Sequence, residues 1–391
     1  MSVRKPTTYR HCERSAAIPS SLVKRGSLRF LPVSELGTGA MTAKVFLQTL
    51  CNLKRAVFLT VVFRLVFVSF SLPAQTDHEE AGRSKYIQQF PDKFYLKPIL
   101  TVRNLDLKIR DRDGSTQTVI YEPTTNTYLG LGFYMFKLSV ELSLRLPVDD
   151  KDIERYGETS AFDFQSNIYS KRWGADIAYQ DYEGFYVRNP DDLFPSWNKD
   201  GPFPQRSDLE ARNFQLNGFY IFNHEKFSYR SSFIQADKQL KSAGSFLLGT
   251  TLGIFKFEAD SALVPGNTDA ALEEQIKAGR FAILGLLPGY TYNFIVKDFY
   301  LNLSFSAGPA NVWTKYRTDA DVSTDSKVRP IVGVRAAFGY NSQRFFCGFS
   351  MVSQSISYDV DKLDINGQTG NAKLFFGYRF LEKGFMKERF F

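Results

Sequence analysis

From about residue 93 to the C-terminus, apolar and polar positions alternate along the chain with a period of two. The clearest stretch runs from Phe136 to Leu146. Phe136, Leu138, Val140, Leu142, Leu144 and Leu146 share one face, while Lys137, Ser139, Glu141, Ser143 and Arg145 share the other. A helix would scatter those polar groups around its circumference. A strand separates them, because successive side chains point to opposite faces. The same alternation recurs at 162–168, 173–180, 226–233, 299–306, 332–339 and 373–380.

Short turns are expected at 135–137, 170–172, 223–225, 296–298 and 341–343, and long polar loops at 147–159, 188–206, 260–278, 313–327 and 359–371. Strands that cross an outer membrane need about ten alternating residues, with short periplasmic turns and longer outer loops. A soluble β-sandwich also alternates. Segment length and aromatic rims favour the membrane form. The expectation is therefore an all-β, antiparallel transmembrane β-barrel of about 12 strands, within a range of 10–14, over residues 93–382. Counting from the two ends leaves two successive outward strands on either side of residues 236–244. Either one strand is unrecognised, giving fourteen, or 236–244 returns through the lumen, giving twelve; twelve is preferred. Gln239, Ser242, Gly244 and Ser245 then form a lumen segment, with Gln239 and Ser242 contacting Arg230 or Arg212.

Composition fits this pattern. The chain holds 37 Phe and 20 Tyr, yet its mean hydropathy is −0.24. Lipid-facing apolar residues that alternate with lumen-facing polar ones account for both. The net charge of +8 divides unevenly. Residues 1–40 carry seven Lys and Arg against two acids, and residues 41–75 carry four against none, so the remainder nets −1. The basic charge belongs to the leader, which argues against nucleic acid as a partner.

Met41 opens a signal-peptide pattern over 41–75: Lys44, Lys54 and Arg55, an apolar run from Ala56 to Leu72 broken by Arg64, then Pro73-Ala74-Gln75. Residues 1–40 show no period and read as a non-native or disordered extension, with Met41 the expected start. Export into the envelope of a Gram-negative cell follows, with 76–92 a short periplasmic segment and 383–391 a tail.

Several runs within 156–250 resemble a known family: Tyr156-Gly157-Glu158-Thr159-Ser160, Tyr182-Glu183-Gly184-Phe185-Tyr186, Tyr220-Ile221-Phe222-Asn223-His224-Glu225-Lys226-Phe227, and Gln239-Leu240-Lys241-Ser242-Ala243-Gly244-Ser245. Pro288-Gly289-Tyr290 and Gly377-Tyr378-Arg379-Phe380 extend the likeness over most of 85–385. The chain resembles the uncharacterised exported proteins called domain of unknown function 4421. That resemblance implies a barrel and brings no chemistry.

Candidate sites are few. Only Cys347 lies beyond the leader among three cysteines, and only His78 and His224 among three histidines, too few for a thiolate or histidine metal centre. Outer-membrane phospholipases, acyltransferases and omptin proteases rely on a histidine near a serine or carboxylate. His224 falls in an expected periplasmic turn, away from the outer rim. Glu141, Arg145, Asp163, Asp176, Arg212, Arg230, Arg335 and Arg379 are assigned to the lumen, where charges either pair and plug the pore or select solutes. No catalytic, cofactor or metal residue is assigned. The expected partners are outer-membrane lipid, the barrel-assembly machinery during insertion, and an unidentified solute or envelope component. The expected role is a non-enzymatic channel, binding or structural barrel. An outer-membrane enzyme acting on lipid or peptide, or a subunit of a larger envelope complex, is the alternative.

Overall fold

The computed structural model describes residues 82–382, apart from 112–117, 125–126, 136–137, 264–275, 319–320 and 361–362. The expected leader and start site, His78 and the C-terminal tail lie outside the described residues.

Ten strands close into an antiparallel ring. They are β2 (Lys93–Asp111), β3 (Thr118–Glu122), β7 (Trp173–Val187), β8 (Gln205–Ile221), β10 (Ala243–Glu258), β11 (Ala278–Val296), β12 (Phe299–Arg317), β13 (Val322–Asn341), β14 (Phe345–Val360) and β15 (Leu363–Leu381). The ring closes where β15 pairs with β2 over nearly their whole lengths. Three extra strands hang on it: β4 (Thr127–Met135) pairs with β2, β5 (Leu138–Arg145) with β4, and β6 (Ser160–Tyr169) with β7. A short helix α1 (Asp150–Tyr156), N-capped by Asp149, joins β5 to β6.

From β8 to β15 the wall is regular. Each strand runs 16–20 residues; tight turns join β11 to β12 and β13 to β14 at the end where the inner segment enters, and the β12–β13 and β14–β15 ladders close at the other end. Within the expected loops at 313–327 and 359–371 the structure instead has strand: β12 reaches Arg317, β13 begins at Val322, β14 reaches Val360 and β15 begins at Leu363. These stretches read as loops because polar residues predominate in them. A strand projecting beyond an apolar layer has no need of an apolar outer face.

The chain departs from the wall between β8 and β10. Residues 222–242 turn inward, forming a one-turn helix α2 (Tyr229–Ser232) and a short strand β9 (Asp237–Gln239). β9 pairs with β1 (Ile87–Gln89), so the segment before the barrel also enters the structure. The stretch 226–233, which alternates like a strand, is therefore part of this inner segment. Phe227, Tyr229 and Phe233 are buried among Tyr95, Tyr169, Phe219, Tyr300 and Phe346. Its alternation fits apolar contact inside the barrel, and no wall position is vacant for it. Gly244 and Ser245 lie in β10, a wall strand, so the inner segment begins earlier and ends earlier than 236–244.

Two apolar clusters fill the barrel at different heights. One gathers Leu107, Tyr121, Tyr182, Phe255, Phe281 and Tyr358 toward the end where β10 and β11 finish their long ladder. The other surrounds the inner segment at the end with the tight turns. A polar layer separates them.

Candidate functional site, a polar layer inside the barrel

The strand period places amides and hydroxyls of many strands into one inward layer. Gln165 and Asn167 come from β6, Gln215 and Asn217 from β8, Thr251 from β10, Gln354 from β14, and Thr369 and Asn371 from β15. They line a cavity of about 70 Å³. By the same measure one water needs about 10–15 Å³, so the space holds several waters or one small polar solute.

Hydrogen bonds cross the lumen at this level. Gln215 Nε2 donates to Gln354 Oε1 at 2.7 Å, Gln354 Nε2 donates to Thr251 Oγ1 at 3.0 Å, and Thr369 Oγ1 donates to Gln215 Oε1 at 3.0 Å. Asn371 Nδ2 donates to Gln165 Oε1 at 2.7 Å. Buried amides left without partners would be costly, and this mutual pairing removes the cost.

The charges sit at the margin of the same layer, each matched. Glu141 accepts from Lys97 and Lys373, both at 2.7 Å. Asp163 takes Arg103 at 3.2 Å, Tyr182 Oη at 2.7 Å and Gln180 Nε2 at 3.0 Å. Asp176 is ion-paired with Arg335 and accepts from Asn167 Nδ2 at 2.6 Å and Tyr169 Oη at 3.0 Å. A buried charge persists only when paired and hydrogen-bonded in this way.

Below the layer, the inner segment is pinned from several sides. Asp237 accepts from Ser228 Oγ at 2.8 Å and lies 3.4 Å from Arg83 and 3.7 Å from Arg230. Arg379 donates to the carbonyls of Gln235 and Ser342 at 2.6 and 2.7 Å, with its guanidinium over the Phe90 and Phe346 rings. Lys238 pairs with Asp298 in the β11–β12 turn. That ion pair and a hydrogen bond from Tyr340 hold the Asp298 carboxyl below the usual carboxylate range.

The sequence-assigned residues divide as follows. Glu141, Asp163, Asp176, Arg335 and Arg379 face inward. Arg145 turns its guanidinium to the carbonyls of Thr159 and Thr124 at 2.7 and 2.9 Å. Arg212 is a correction. It is exposed on the outer face of β8, where it pairs with Asp181 at 2.9 Å and Glu210 at 3.1 Å. The inward phase of β8 is Leu209, Ala211, Asn213 and Gln215. Arg230 belongs to the inner segment rather than the wall, and donates to Tyr134 Oη at 2.9 Å. The contacts expected of Gln239 and Ser242 are also corrected. Gln239 bonds Ser228 N, Asn293 and the Lys226 carbonyl, while Ser242 Oγ accepts from Ile295 N. Asp237 supplies the carboxylate near Arg230. Backbone groups of the segment need many local partners, and these nearer groups satisfy them.

Lys97, Arg103, Lys373, Gln215, Gln354 and Asp237 went unassigned. The first three share the inward phase of β2 and β15, so phasing 93–111 against Lys97, Ile99, Thr101 and Arg103 would have found two of them. His224 opens the inner segment, where its carbonyl accepts from Arg83. Among the described residues no group of three or more His, Cys, Asp or Glu is placed to hold a metal ion.

The chain belongs to the domain of unknown function 4421 family, whose model matches residues 82–380. No curated protein matches it. Among solved structures, it is similar to the outer-membrane protease OmpT of Escherichia coli at 10% identity, covering 75% of this chain and 98% of that one, with a TM-score of 0.36. It is also similar to the toluene transporter TodX of Pseudomonas putida at 12% identity, with coverage of 75% and 92% and a TM-score of 0.24. The attachment invasion locus protein Ail of Yersinia pestis, in complex with a heparin analogue, matches at 11% identity, with coverage of 73% and 99% and a TM-score of 0.22. Likeness at that level lends this chain neither an activity nor a ligand.

Proposed function

We propose that this member of the domain of unknown function 4421 family is an outer-membrane β-barrel with twelve membrane-crossing segments, closed at rest by its own inner segment and serving passage, binding or structure without a catalytic step. The observation that supports it is an exposed apolar belt around the outside of the wall. On β10 the outward residues Phe246, Leu248, Leu252 and Ile254 are exposed, and the belt continues through Leu284, Leu286 and Phe294 on β11 and Leu301, Leu303 and Phe305 on β12. Water tolerates contiguous apolar patches of only a few hundred Å². Residues 246–254 match the about 9–11 residues that a tilted strand needs to cross a bilayer. At the tight-turn end the belt is rimmed by ring pairs, Phe94 with Phe380, Trp173 with Tyr220 and Phe299 with Tyr340, as expected of an interfacial aromatic girdle.

The count of twelve follows from treating β3 and β4 as one crossing broken at Pro123, since both pair with β2 and run the same way. The crossings then alternate in direction, even in number, with both ends on the periplasmic side. The inner segment and the cross-lumen amides block an axial path, so a resting open pore does not suit this geometry.

Two measurements test the proposal. The protein is expected to stay in carbonate-washed outer membranes and to migrate faster on gels when unheated. Release by carbonate would overturn the membrane assignment. In planar bilayers the wild type should show no steady conductance, whereas Asp237→Ala, which removes the carboxylate beside Arg83 and Arg230, should open the lumen. A large steady conductance from the wild type would overturn the resting closure.

A further inference from the structure

The wall is split on one side. At the outer end β3 pairs directly with β7, through Tyr121 with Val187 and Glu122 with Tyr186. Below that point the two strands part. β4 carries β5 on one side of the gap and β7 carries β6 on the other, yet β5 and β6 form no ladder with each other and scarcely approach. β5 runs toward the outer end and β6 runs back, so their directions already suit an antiparallel pair.

The apex of this split is stitched. Thr124 N donates to Thr159 Oγ1 and Thr124 Oγ1 to the Gly157 carbonyl, both at 2.8 Å, while Thr159 Oγ1 donates to the Gly184 carbonyl at 2.8 Å. Gly184 lies at a bulge with φ +88°, where a side chain would strike the Glu158 carbonyl. Below the apex, side chains from β2 and β15 reach across to both edges. Arg103 donates to Ser143 Oγ on β5 at 2.8 Å and to the Asp163 carbonyl on β6 at 2.7 Å. Lys373 holds Glu141 on β5 at 2.7 Å and Asn167 on β6 at 3.0 Å.

Resting on the membrane reading above, we propose that the β5–β6 split is a lateral doorway through which a small amphipathic molecule passes between the bilayer and the amide-lined chamber, with Arg103 and Lys373 as its latches. Open sheet edges are not stable against lipid, because their N–H and C=O groups find no partners there. Such edges must zip together or be served by an occupant. The outer approach is apolar: Leu142 and Leu144 are 65% and 80% exposed. The inner side is polar, since Asn167 and Gln165 on β6 also line the chamber. An apolar approach to a polar chamber suits a molecule with an apolar tail and an uncharged or weakly charged polar head.

The test places one cysteine in the chamber, Thr369→Cys, in a Cys347→Ser background reconstituted in phospholipid vesicles. N-dodecylmaleimide, which partitions into the bilayer, is compared with a sulfonated maleimide confined to water. The lipid-soluble reagent is expected to label faster by about tenfold, since the open edge faces lipid. Adding Leu144→Cys and Phe162→Cys and oxidising that pair should abolish this advantage, and a reductant should restore it in the same sample. Arg103→Ala should raise the lipid-side rate further. Equal rates for the two reagents, or an advantage that survives the verified cross-link, would overturn the doorway. Heat-dependent gel migration of each variant is read first, so failure of the barrel itself registers separately from failure of the doorway.

Discussion

Along β10 the two faces of the wall exchange character within a few residues. From Ser245 to Ile254 the outward side chains are apolar except Thr250 and the inward ones include Ser245 and Thr251; from Phe255 onward, Phe255 and Phe257 point inward while Lys256 and Glu258 point out. β12 makes the same exchange, from Leu303 outside and Ser304 inside to Lys315 outside and Val312 inside. On the membrane placement proposed above, one strand passes through two media. In the belt, lipid outside would take the apolar residues and the lumen the polar ones. In the crown, water would lie outside, and there the barrel packs an ordinary apolar core.

The largest effect should come from the crown core. Phe281 is fully buried, with its ring 4.4 Å from Tyr358 and stacked near Phe255. Phe281→Ala is expected to cost about 3–5 kcal/mol, by loss of burial plus the cavity left behind. Urea unfolding in lipid vesicles measures it. If the crown were a loose fringe above a self-sufficient belt, the midpoint would scarcely move.

A charge in the belt comes next. Leu303→Arg places a guanidinium on the lipid face, at roughly 2–4 kcal/mol near the bilayer midplane. Ser304→Arg on the same strand is no neutral control, since Ser304 Oγ meets Tyr229 Oη at 2.8 Å. The informative partner is Thr324→Arg in the crown, exposed on β13 beside its register partner Lys315, which should be tolerated. Equal loss of heat-stable folding in Leu303→Arg and Thr324→Arg would erase the distinction between belt and crown.

Smaller still is the crown surface. Arg317 and Glu258 pair at 2.9 Å with both side chains more than half exposed. Breaking this pair by Arg317→Ala should cost roughly 0–1 kcal/mol and less at high salt. A loss matching that of Leu303→Arg would mean that this surface is not in water.

This exchange of media also explains what the sequence could and could not disclose. Alternation in the belt reads directly, so 299–306, 332–339 and 373–380 read as strands with the inward phase that carries Arg335 and Arg379. In the crown the rule that polar residues face inward reverses. For that reason Arg212 reads as inward though it is exposed outside, and the polar stretches after Val312 and Val360 read as loops. The inner segment deceives differently: Phe227, Tyr229 and Phe233 alternate, but Ser228, Ser231 and Ser232 beside them are buried as well. The amide layer was missed because Gln and Asn on separate strands carry no local signature. Only closure of the ring brings Gln215 to Gln354, 139 residues later.

The smallest effect expected is at the anchor between the inner segment and the wall. Asp298 lies in the β11–β12 turn, and its ion pair with Lys238 lowers its pKa from the ordinary value of 3.8. A carboxyl depressed in the folded state binds fewer protons there than in the unfolded chain, so its contribution is complete above the unfolded value. It is lost as pH falls through the lower, folded value. Channel openings of the wild type should therefore stay equally rare from neutral pH down to about pH 5, well above both values, and increase only in more acid solution. Asp298→Asn removes the charge at every pH, so it should open slightly more often at neutral pH and lack this part of the acid response. Other carboxylates titrate in the same range, which makes the difference between the two curves the quantity to read. Identical curves would mean that Lys238 does not tether the inner segment, and that its closure rests on Asp237, Arg379 and the buried rings alone.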